Sequence, residues 1–73
     1  MKGIDFDRES NPAAIVRVLP VFGGQKLPVA VFVRYHDSKC WWQISKEYQY
    51  PKCAQKAASL MAAMHYAWRY EPC

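Results

Sequence analysis

Four side chains in the sequence belong to the types that bind zinc, namely His36, Cys40, Cys53 and His65. Cys53 and His65 fall in one predicted helix and stand 12 residues apart, which is about 18 Å by helical rise. A tetrahedral ion cannot contact both, and no CxxC or HxxxH pair offers another arrangement. We therefore expect no metal site and no cofactor, and we interpret Cys53 as a small apolar residue of the core.

Cys40 is also a candidate nucleophile, because His36 and Asp37 precede it across a predicted turn. A catalytic cysteine needs an activating base and a cleft, and a small sheet with one helix provides almost no cleft. Gly23-Gly24 predicts a hairpin turn and not a phosphate-binding loop. The six carboxylates are scattered and show no acid–base pairing. We therefore expect a protein that is not an enzyme and has no catalytic residues.

The elements that would carry these side chains begin with three predicted strands. The strands are predicted over residues 13–22, where β-branched residues recur, 29–36 and 40–45, and the third strand could run on to Tyr48. Gly23-Gly24 and residues 37–39 supply the turns between them. Two short connections predict a three-stranded antiparallel meander.

One long helix is predicted over residues 51–69, because this segment is rich in alanine and Pro51 suits a first helical turn. An apolar stripe at spacings of three and four is expected to face the sheet, and it comprises Cys53, Ala57, Leu60, Met64 and Trp68. The predicted fold is a two-layer α+β domain of order β-β-β-α. It is a single domain over residues 1–73, with an arm at 1–12 that could form a short edge strand, a sheet at 13–48 and the helix.

Alternation of side chains along the strands predicts that one sheet face lies away from the helix. That face combines cationic, polar and aromatic groups: Arg17, Phe32, Arg34, His36, Trp41 and Gln43. Arginine, glutamine and aromatic rings together are typical of surfaces that pair with phosphates and stack on bases. We expect Arg17, Arg34 and Gln43 to make polar contacts and Phe32 and Trp41 to stack. A basic rim would contact phosphate through Lys39, Lys46 and Lys52.

The overall charge permits such an anionic partner, since the chain carries a net +4 with a pI near 9.1. The polar start MKGIDFDRES lacks the apolar core of a signal peptide, and no apolar run approaches the length of a membrane span. We accordingly expect three reduced cysteines, a cytoplasmic location and no membrane partner.

The element order of residues 13–69 resembles that of arm-type and AP2-like DNA-binding domains, a three-stranded sheet followed by a helix. The resemblance implies that the uncovered sheet face would enter the major groove of DNA, and it assigns no individual residue. The alternative is a protein-binding adaptor or inhibitor that uses the same face, of the kind found among phage and mobile-element accessory proteins that block host defence complexes. Two structural alternatives also remain: the arm, through Ile4 and Phe6, covers this face, or the chain forms a homodimer in place of a monomer.

Overall fold

The computed structural model describes residues 5–72, which form one helix and a mixed four-stranded sheet. The elements are β1 (Ala14–Pro20), β2 (Val29–Tyr35), β3 (Trp42–Gln43), α1 (Pro51–Met64) and β4 (Trp68–Tyr70). The strand order is β3-β2-β1-β4. The α+β class predicted from the sequence is confirmed.

The prediction of a purely antiparallel three-stranded meander is wrong, because β4 adds a parallel strand on the far side of β1. The helix was predicted to run to residue 69, but α1 stops at Met64. Ala67 takes a left-handed backbone conformation, with φ of 63°, and the chain turns there into β4. The aromatic, strand-favouring residues Trp68 and Tyr70 then pair along β1. The fourth strand also departs from the element order of the arm-type DNA-binding domains.

Arg8 secures this turn from the amino-terminal arm. Its guanidinium donates hydrogen bonds to the carbonyl oxygens of Ala62, His65 and Trp68, at 3.3, 3.4 and 2.8 Å. The Ala62 carbonyl, which also accepts the His65 amide at 3.4 Å, lies in the last turn of α1, where a cation is favourable. The arm forms only an isolated bridge between Asp7 and Asn11 within the described residues. Residues 5–12 do not form the short edge strand that the arm could have supplied, and β4 occupies the edge beside β1.

Several local predictions agree with the structure. Pro51 lies in the first turn of α1. Gly24 has a φ of 85°, and the turn is closed by the Gln25 amide, which donates to the Phe22 carbonyl at 3.3 Å. The third strand is shorter than predicted, because the ladder to β2 is interrupted after Ile44. There the Ser45 hydroxyl accepts the Val31 amide, and the ladder resumes only at Tyr48, which bridges to Val29.

The helix buries a different stripe from the one predicted. Ala54, Ala58 and Ala62 are buried. Ala58 and Ala62 pack on small apolar residues of β1 and β2, and Ala57 and Trp68 of the predicted stripe lie half-buried against the same cluster, whose strand members are Ala14, Val16, Val31 and Val33. Leu60 and Met64, which were predicted to be buried, are 63% and 72% exposed, and Cys53 is exposed. Alanine on the inner side lets the helix approach the sheet closely, so the longer side chains lie outside the interface.

The helix contacts β1, β2 and β4 from one side only. Within residues 5–72 no second helix or strand packs on the opposite face of the sheet. The described part of the chain also contains no helix of the length and apolarity needed to cross a membrane.

Candidate functional site

The uncovered side of the sheet is the candidate site, and we call it the open face. Strand alternation brings side chains to it from all parts of the sheet, because residues paired across strands point to the same side. Arg17 pairs with Phe32, Phe32 with Gln43, and Ile15 with both Arg34 and Arg69. The polar and aromatic members of the open face are Arg17, Phe32, Arg34, Trp41, Gln43, Arg69 and Glu71.

Trp41 occupies the centre of this group. The guanidinium carbons of Arg17 and Arg34 each lie 5.6 Å from the centroid of its ring. These distances are typical of cation–π contacts, which hold both guanidiniums near the indole. Arg17 is on β1 and Trp41 directly precedes β3, so the half-buried indole reaches across β2.

Glu71 balances part of the positive charge on the open face. Its carboxylate accepts hydrogen bonds from Arg17 at 2.9 and 3.2 Å and from Arg69 on its other oxygen. These hydrogen bonds hold the pKa of Glu71 below its ordinary value, and those from Arg17 contribute more than the one from Arg69. The carboxylate is therefore ionised at neutral pH and shared by two arginines.

Arg34 differs from its two neighbours. Glu71 forms both of the ion pairs within the described residues, and it forms them with Arg17 and Arg69. The hydrogen bond of Arg34 goes to the Ser38 carbonyl oxygen at 3.5 Å, which leaves its charge uncompensated. With three arginines and one carboxylate, the open face carries a net charge of +2.

Gln43 and the three lysines of the predicted basic rim lie in different parts of the molecule. Gln43 is exposed on the open face, and its amide donates to the Ser45 carbonyl at 2.9 Å. Lys39 and Lys46 lie exposed in the segments on either side of β3, and the Lys46 ammonium lies 5.5 Å from the ring of Tyr48. Lys52 is on α1, in the layer on the opposite side of the sheet. It cannot join a contact centred on Trp41.

The arm reaches only one end of the open face. Phe6 packs on His36, with ring centroids 4.6 Å apart. Beyond it, Arg8 bonds to the end of α1 and β4, and the Glu9 carbonyl accepts from Arg69 at 2.7 Å. The contacts of residues 5–12 thus lie at the His36 end and along β4, away from Trp41. Ile4 lies outside the described residues.

Two residues of the open face, Arg69 and Glu71, were not predicted. Arg69 had been placed in the helix and Glu71 had been given no role. The signal was present, because Trp68, Arg69, Tyr70 and Glu71 alternate between aromatic and charged side chains. Trp68 and Tyr70 pack toward the core, as this alternation requires.

The side chains considered for metal binding lie apart from one another. His36 packs on Phe6, whereas His65 stacks on Trp68 with centroids 3.8 Å apart. Cys40 and Cys53 are both exposed free thiols. No group of three or more histidines, cysteines and carboxylates within residues 5–72 is placed to hold a metal ion.

Comparison with known proteins gives no further assignment. No protein-family model matches the chain, and no curated protein or solved structure matches it either. The open face is therefore the feature on which a proposal of function rests.

Proposed function

We propose that this protein is a non-enzymatic module that binds nucleic acid through the open face. The observation that carries the proposal is Trp41 with the guanidiniums of Arg17 and Arg34, each 5.6 Å from its ring. An aromatic ring beside two planar cations provides both interactions that nucleic-acid surfaces use, stacking on bases and pairing with phosphates. No helix or strand of residues 5–72 packs on this side of the sheet, and the half-buried Trp41 and the exposed Gln43 offer contact surface there.

The residues divide into two roles. Arg34 is the principal phosphate contact, since no carboxylate of residues 5–72 forms an ion pair with it. Trp41 and Phe32 offer ring surface to bases, and Gln43 offers an exposed amide beside them. Stacking on a protein ring requires an unpaired base. We therefore expect single-stranded DNA to bind more tightly than a duplex of the same sequence.

Salt dependence tests the phosphate part of the proposal. With about three phosphate contacts, the logarithm of affinity for a labelled single strand should fall against the logarithm of salt with a slope of about −2. The variant Arg34→Ala should make this slope shallower by about 0.7, because one counterion fewer is released. Fluorescence anisotropy over a range of salt concentrations measures both slopes.

Lys56→Ala is the matched control, because it removes the same charge from α1 on the opposite side of the sheet. It should leave the slope nearly unchanged. Trp41→Ala should weaken binding by about 1–3 kcal/mol with little change in slope, since stacking releases no counterions. Equal effects of Arg34→Ala and Lys56→Ala would contradict binding at the open face.

A protein partner at the same surface gives a different result. DNA binding would then be negligible at physiological salt, whereas Arg34→Ala and Trp41→Ala would still weaken the protein complex. Absence of measurable binding to single-stranded or duplex DNA at low salt would overturn the proposal.

A further inference from the structure

A second apolar stripe on α1 combines the exposed residues Cys53, Leu60 and Met64 with Ala57, which is half-buried against the core. Cys53, Ala57, Leu60 and Met64 follow one another at spacings of four, three and four. This is the spacing of the a and d positions of a helix that packs against another helix. Leu60 is 63% exposed and Met64 72% exposed. Single exposed apolar residues are ordinary, but a continuous stripe over three turns marks a contact surface.

The stripe lies toward the β3 edge of the molecule. An open groove of about 310 Å³ lies between the other side of α1 and β4, and Ser59, Ala62 and Ala63 line its helical wall. At 100° per residue the stripe falls on the side of the helix away from this groove. Trp42, which pairs with Val33 and therefore points to the helix side of the sheet, is 56% exposed on that edge.

Charge decides what kind of helix fits this surface. The helix α1 contains Lys52 and Lys56 and no carboxylate. In the heptad register set by Leu60 at d and Met64 at a, Lys56 occupies a g position. In paired helices this position forms interhelical ion pairs. A second copy of this chain would bring two more lysines and no carboxylate from α1, so self-association lacks the complementary charge.

We propose that the stripe of Cys53, Ala57, Leu60 and Met64, together with Trp42, docks an amphipathic helix of a partner protein with acidic residues beside its apolar seam. This surface lies on the opposite layer from the open face and acts independently of nucleic-acid binding. Leu60 and Met64 supply the apolar anchors, and Lys56 sets the preference for an acidic helix.

The test uses the full chain and a labelled synthetic helix with leucine at a and d and glutamate at e and g, where the glutamates oppose self-association. A second peptide with lysine at e and g is the control ligand. The glutamate peptide should bind by fluorescence anisotropy, and the lysine peptide should bind at least about tenfold more weakly. Equal binding of the two peptides, or binding of neither, would overturn the proposal.

Variants locate the surface. The double substitution Leu60→Gln and Met64→Gln should weaken binding of the glutamate peptide by at least about tenfold. Phe22→Gln, at a residue 53% exposed in the first hairpin, is the matched control and should have little effect. Lys56→Glu should shift preference toward the lysine peptide, whereas Lys26→Glu in the hairpin loop should not. Unchanged binding by the Leu60 and Met64 variant would exclude this stripe.

The oligomeric state of the protein tests whether a second copy of the chain occupies the stripe instead of an acidic helix. Sedimentation at the concentrations of the peptide assay should give a monomer both for the native chain and for the Leu60 and Met64 variant. A native dimer that the double substitution converts to monomer would show that a second copy occupies the stripe, and it would overturn the acidic-helix proposal. Both helix variants should retain nucleic-acid binding, so failure of either proposal is separable from the other.

Discussion

Trp41 and Trp42 are adjacent in the chain and point to opposite sides of the sheet. Trp41 lies between Arg17 and Arg34 on the open face, whereas Trp42 pairs with Val33 on the helix side. At the scale of single residues, the open face depends on a balance between its arginines and Glu71. That carboxylate holds Arg17 and Arg69 in place and also withholds their charge from a ligand.

The balance has a pH dependence. Hydrogen bonds from Arg17, and then from Arg69, lower the pKa of Glu71 from its ordinary value of 4.5. A carboxylate whose folded pKa is lowered adds stability above its unfolded pKa and loses that contribution as the pH falls through the folded pKa. The native chain should therefore melt at a higher temperature than Glu71→Gln at neutral pH. The difference should shrink as the pH falls below 4.5.

Circular dichroism melts of the native chain and of Glu71→Gln, from neutral to acidic pH, measure the difference in melting temperature. Hydrogen bonds from Ser10 also lower the pKa of Asp7. Asp7 is present in both proteins, so the difference between their melting temperatures reports on Glu71 alone. Glu47→Gln, at an exposed position outside the network, should show no such convergence. A difference between native chain and Glu71→Gln that persists unchanged into acid would contradict the role given to this carboxylate.

The central residues of the open face could be predicted from the sequence because alternation along a strand fixes the side of every second residue. This rule brought Arg17, Phe32, Arg34 and Trp41 together correctly. It could not predict that Glu71 neutralises part of the arginine charge. That contact depends on the parallel pairing of β4 with β1 and joins residues more than 50 positions apart. It also could not give the arm contact of Phe6 with His36.

At the scale of elements, α1 has two apolar stripes, and the sequence pattern favoured the wrong one. Periodicity gives weight to long side chains such as Leu60 and Met64, but close packing on valine selects the small residues Ala58 and Ala62. The end of the helix was missed for a similar reason. Ala67 is a good helix former, and its left-handed conformation leaves no mark in composition.

A matched pair of substitutions tests which stripe is buried. Ala58→Leu places a large side chain where Ala58 is 0% exposed, and it should lower the free energy of unfolding by about 1–3 kcal/mol through overpacking. Ala63→Leu makes the same change at an exposed position of the same helix and should stay within about 0.5 kcal/mol of the native chain. Urea denaturation with equal m-values compares them.

Leu60→Ala provides the complementary measurement. Because Leu60 is 63% exposed, its removal should change the unfolding free energy by no more than about 0.5 kcal/mol. A loss of several kcal/mol would place Leu60 in a core and would contradict both the fold described for α1 and the docking surface proposed on it.

At the scale of the whole molecule, the sheet separates two surfaces of different chemistry. One side presents arginines and rings around Trp41, and the other presents α1 with its outer stripe and Trp42 at the edge. A small two-layer domain has one helix to cover one sheet face, so its second face remains accessible. The two ligands that we propose, a nucleic acid and a protein helix, would accordingly bind on opposite layers.

The three tryptophans distinguish these layers in one experiment, since each indole N–H gives its own NMR signal. In a titration of isotope-labelled protein with a short DNA single strand at low salt, the Trp41 indole signal and the Phe32 and Arg34 amides should move. The Trp42 and Trp68 indole signals should stay in place. Movement of Trp42 or the α1 amides with Trp41 unchanged, or no movement of any signal, would contradict nucleic-acid binding at the open face.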